Sequence, residues 1–103
     1  MEDRILTLRL EDFEPLLGQT FSLRAPAGQE IATRLDHCRE LGGQTVAEAV
    51  RRPFAVVFTT ETRDVVPQQT VTVENETLGS LEIFVVPVGP DVQGRMQYEA
   101  IFT

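Results

Sequence analysis

Residues 54–58, Phe-Ala-Val-Val-Phe, and residues 83–86, Ile-Phe-Val-Val, run without a polar side chain. Runs this short, made of β-branched and aromatic residues, fit strands better than helices. A strand with one face in water alternates apolar and polar residues, because its side chains point to opposite faces in turn. These two runs do not alternate, so both are expected to be covered on both faces. The cover is expected from a helix, from closure of a barrel, or from another subunit.

The rest of the chain supplies the partners such strands need. Residues 4–10 alternate weakly through Leu6, Leu8 and Leu10, which fits a short strand or a lead into a helix. Residues 11–17, Glu-Asp-Phe-Glu-Pro-Leu-Leu, read as a short helix with Phe13, Leu16 and Leu17 as its buried stripe. Its acids stand at the start, where the helix dipole favours them, and Pro15 fits only a first turn. Gly18 follows, where a left-handed residue ends a helix well. Residues 21–24 and 30–38 are predicted to pair as a hairpin across Pro26-Ala27-Gly28. Gly42-Gly43 breaks the chain, and Thr45 with Glu48 has capping-box spacing for a single turn at 45–50, with a loop as the alternative. Three strands then follow through short turns: one around Val71 and Val73, one at 80–88, and one at 95–102. Connections this short make an antiparallel meander, since parallel strands need long crossovers. In the last strand Met96, Tyr98, Ala100 and Phe102 share one face, and Arg95, Gln97 and Glu99 the other.

The expected fold is therefore mainly β: a single small antiparallel β-barrel or sandwich of about six strands with one short N-terminal helix. The 103 residues fit one domain. A chain of this length buries enough apolar surface to fold without metals or disulfides.

The net charge of −7 excludes some partners. Acids outnumber bases in both halves, nine to five over residues 1–50 and seven to four over 51–103. A nucleic-acid footprint is basic, so nucleic acid is not an expected partner. All basic residues are arginine, which leaves no lysine amine as a nucleophile. Cys38 is the only cysteine and cannot form an internal disulfide; it is expected to be a small buried apolar group. Met1-Glu2-Asp3-Arg4 lacks a signal-peptide core, and the apolar run from Ile83 to Val88 is broken by Pro87. Neither feature predicts membrane insertion, which needs roughly 18–20 apolar residues for a helix. Cytoplasmic synthesis is expected, with incorporation into an exported or phage-like assembly left open.

Several segments together carry a resemblance. They are Arg52-Pro53-Phe54-Ala55-Val56-Val57-Phe58, Val66-Pro67-Gln68, Leu78-Gly79 and Ile83-Phe84-Val85-Val86-Pro87-Val88-Gly89, with Tyr98-Glu99-Ala100-Ile101-Phe102 at the close. With Phe13, Leu17-Gly18 and Phe21 near the start, the chain resembles the bacterial family catalogued as domain of unknown function 6916, over nearly its whole length. Gln69 stands where the family more often has glycine, a change expected to touch a turn, and Thr103 replaces a common asparagine. The resemblance supplies no catalytic residues. Its implied setting is a phage-tail-like or surface-appendage assembly, hence a structural or assembly role.

No chemistry announces itself. His37 is the only histidine, and its neighbour Cys38 points to the opposite face of a strand, which argues against a dyad. One histidine and one cysteine cannot make a structural zinc site in one chain. The acids near 11–14 and 74–76 lack the spacing of a calcium loop. No glycine-rich phosphate loop is present, and Asn75-Glu76-Thr77 reads as a chance glycosylation triplet. No cofactor is expected. The expected function is a non-catalytic structural, assembly or interaction module, with this chain itself or a larger assembly protein as partner. The alternative is a small-ligand or peptide-binding β-barrel with Arg51, Arg52, His37 and Tyr98 at its mouth. The contact surface is expected around Phe54, Phe58, Phe84 and the loop 89–94, with Arg51, Arg52 and Tyr98 beside it.

Overall fold

A computed structural model describes residues 8–41, 53–61 and 65–103. The predicted turn at 45–50, the break at Gly42-Gly43, Leu6 and Arg51 and Arg52 lie outside the described residues. The chain enters a short helix α1 (Leu10–Phe13) and a 3-10 turn (Glu14–Leu16). Strands β1 (Thr20–Arg24), β2 (Glu30–Glu40), β3 (Phe54–Thr60), β4 (Gln69–Asn75), β5 (Gly79–Pro90) and β6 (Met96–Phe102) follow. They close into one barrel in the order β1-β2-β3-β6-β5-β4, every pair antiparallel. The barrel, not the sandwich, is the outcome. The expected hairpin is β1–β2, and the expected meander is β4–β5–β6. Gln69 opens β4 opposite Val85, so it belongs to a strand and not to the turn before it.

A six-stranded barrel is narrow enough for side chains to fill. Inward positions supply Phe21, Leu23, Ile31, Leu35, Phe54, Val56, Phe58, Val71, Val73, Ile83, Val85, Tyr98, Ala100 and Phe102, all buried. The helical segment closes one end. Arg9 offers its backbone N–H to the Asp12 carboxylate at 2.8 Å, which starts the turn. Phe13, fully buried, then sits 5.8 Å from the Phe54 ring and 5.5 Å from Phe102, while those two stack at 4.7 Å. Gly18 takes φ +87°, a conformation costly to residues with a Cβ, and turns the chain into β1. At the other end Val66 is buried and its N–H donates to the Tyr98 hydroxyl at 2.8 Å. Val66, ahead of β4, thus lies over that end.

The expectation of two doubly covered strands holds for β3 and fails for β5. Along β3 six of seven residues are buried. Its outward Ala55 is buried with Arg39 of β2 and Ile101 of β6 beside it in register, and Arg39 reaches across the outer face of β3 to Glu99, opposite Val57, at 3.2 Å. On β5 the inward Leu81, Ile83 and Val85 alternate with exposed Glu82 and Phe84. Phe84 is apolar yet has 53% of its surface in solvent.

Candidate functional site

The six residues expected at a contact surface separate sharply. Phe54, Phe58 and Tyr98 point inward and are at most 1% exposed. They are core, held by ring contacts such as Phe21–Phe58 at 5.2 Å and by the Tyr98 hydrogen bond. Phe84 lies exposed on the outer wall. Arg51 and Arg52 lie outside the described residues.

Inward and outward positions follow from register. A bulge between Leu35 and His37 inserts Asp36 as an extra residue in β2. Before it, the odd-numbered Ile31, Thr33 and Leu35 face in; after it, Cys38 faces in opposite Val56, and His37 lies exposed. Asp36 accepts the Thr59 hydroxyl proton at 2.9 Å and sits 3.6 Å from Arg34. His37 and Cys38 are thus on opposite faces, as expected of strand neighbours. Burial pushes the Cys38 thiol above its ordinary pKa, and the Glu14 carboxylate nearby acts in the same direction. This disfavours the thiolate, the reactive form.

The apolar surface centres on β5 and β6. The last paired residues below their bulge are Val86 and Glu99. Two positions further along each strand stand Phe84 and Ile101, both outward, at 53% and 57% exposure. Val86, half-buried and paired with Glu99, stands between Phe84 and the bulge. Val88, the extra residue of the β5 bulge, is also exposed, and Val92 projects wholly into solvent from the loop beyond. Ile101 escaped the expected contact set. Its signal was present: it is the one apolar residue on the face of β6 that otherwise holds Gln97 and Glu99.

Concave surface lies elsewhere. A groove of about 700 Å³ runs beside the start of β1 and the end of β4, lined by Gln19, Thr20, Ser22, Glu74, Asn75 and Ser80 among others. A smaller one of about 320 Å³ sits at the opposite end of the same seam, by Arg24, Pro26, Thr70 and Glu82. Both lie on the outer wall of the barrel. Asn75 in the first groove is fully engaged. Its Oδ1 accepts from the N–H groups of Thr77 and Leu78, and its Nδ2 donates to the Thr20 carbonyl and to Gln19. Among the described residues no three His, Cys, Asp or Glu side chains cluster as a metal would require. No helix among them is long and apolar enough to cross a membrane.

The fold and this surface define a closed six-stranded antiparallel barrel, plugged by a helical turn and apolar on part of its outer wall. A family model described as a domain of unknown function (DUF6916) matches residues 8–102. The chain belongs to that family, as its motifs led one to expect. Neither the curated proteins nor the solved structures searched gave a significant match.

Proposed function

We propose that this domain is a non-catalytic interaction module that works by contact with another protein. The partner is a second copy or a larger assembly protein, and the setting is a phage-tail-like or surface-appendage assembly.

The observation that carries the reading is Phe84 on the outer wall of a barrel that fills its interior without it. An exposed phenylalanine contributes little to its own fold. Buried by a partner, such a side chain contributes roughly 1.5–3 kcal/mol. Ile101, Val86 and Val88 extend the same apolar character around it. Closure of the sheet also leaves no long free edge for pairing, so contact runs through a face.

The test is purification of the tagged chain from its own cells, with light scattering on the eluate. The expected result is an oligomer or complex of fixed stoichiometry that Phe84→Ser weakens. A monomer at high concentration that elutes alone overturns the proposal.

A further inference from the structure

One side of the barrel wall is acidic and holds no strand cation. β1 and β2 balance Arg24, Arg34 and Arg39 against Glu30, Asp36 and Glu40. β4, β5 and β6 carry no arginine at any strand position, and their charged residues are Glu74, Glu82 and Glu99. Register puts all three glutamates on the outer wall. Each stands at an alternate position to the inward Val73, Leu81, Ile83, Tyr98 and Ala100.

Two of these glutamates are already satisfied from the other half. Glu74 pairs with Arg24 at 2.7 Å across the β1–β4 seam, and Glu99 pairs with Arg39 at 3.2 Å across β3. The ion pairs therefore lie at the two margins of the three-strand face. Glu82 stands between them on the central strand β5, exposed, with no ion pair among the described residues. Two positions along the same outer row is Phe84, with Ile101 beside it on β6.

Resting on the interaction reading above, we infer that the outer face of β4–β5–β6 docks a protein segment that is apolar at its centre and carries arginine or lysine beside it. The apolar part covers Phe84 and Ile101, and the cation pairs with Glu82. Complementary charge at an interface sets partner choice and register. A second copy fits this face less well. Each copy carries a net charge of −7, and a symmetric contact across this face would bring two Glu82 carboxylates into one interface with no strand cation on that face to pair with them.

The test is selection of a displayed library of random twelve-residue peptides on the folded domain at about 150 mM salt, where distant charges are screened. Affinities of the enriched peptides are then measured on Glu82→Lys, Phe84→Ser and, as a charge control on the helical segment, Glu11→Lys. The three positions are exposed, and an unchanged thermal midpoint verifies the fold. The expected result is enrichment of basic peptides with apolar residues, bound at least tenfold more weakly by Glu82→Lys and by Phe84→Ser but not by Glu11→Lys. Three results overturn the inference: neutral or acidic peptides enriched, equal loss with Glu11→Lys, or no peptide that separates the native domain from Phe84→Ser. Any of these, with the complex from cells still sensitive to Phe84→Ser, removes the basic partner and leaves the interaction module standing.

Discussion

Asp91 accepts hydrogen bonds from the N–H groups of Gln93 and Arg95 at 2.8 and 2.9 Å, and so holds the loop between β5 and β6. The bond from Arg95 is the main reason its carboxyl sits below the ordinary acid range, against an opposing effect of burial. The Gln93 bond and the positive charges of Arg95 and Arg34 act in the same direction as Arg95's N–H. A lowered folded-state pKa stabilises the loop fully above the unfolded carboxyl's range, and the effect is lost as pH falls through the lower folded value. Carbon-detected NMR should find the Asp91 carboxyl titrating below the ordinary aspartate range, with the Gln93 and Arg95 amide signals shifting at the same midpoint. Titration at the ordinary aspartate range would disprove the assignment. Asn75 and Tyr98 do comparable local work, and neither role was visible in sequence. Asn75 read as a chance glycosylation triplet and Tyr98 as a mouth residue. Their partners, Thr20 and Val66, stand 55 and 32 residues away.

Elements were legible where period and punctuation agreed. The helical segment, both hairpin strands and the meander follow from local pattern, because side-chain alternation and turn residues act over a few positions; of the expected helical stripe Phe13 and Leu16 are buried, but Leu17, past the helical turn, is exposed. The helical segment alone is far too short to be stable in water. It exists because Phe13 fills the barrel end against Phe54 and Phe102. Phe13→Ala should therefore cost about 3–5 kcal/mol, by lost burial and a cavity. Denaturant unfolding measures it, and a loss under about 1 kcal/mol would show that the plug is dispensable. The phase of β2 beyond Leu35 was not legible, because one inserted residue at Asp36 reverses which side faces in. The cover of β3 and the exposure of Phe84 were equally hidden. An apolar run states that its side chains avoid water, not which neighbour shields them.

For the molecule as a whole, closure is the decisive event, and its weakest line is the β1–β4 seam. Only three residue pairs join these strands, Ser22–Glu74, Leu23–Val73 and Arg24–Thr72, against seven between β4 and β5. Both grooves lie along it. The exposed Arg24–Glu74 pair contributes little, since surface ion pairs stabilise by roughly 0–1 kcal/mol. Amides of β1 that face β4 should thus exchange with deuterium faster than those joining β2 to β3. Uniform protection around the barrel would contradict this. Composition and pattern by themselves determined a β-rich acidic fold, its helical turn, its hairpin and its meander, because those depend on interactions between near neighbours in the chain. Tertiary structure alone decided that the sheet closes, that Phe54, Phe58 and Tyr98 go inward, and that Phe84 remains outside. Those outcomes depend on which distant strands meet and in what register, and a side chain's hydrophobicity is the same on either wall.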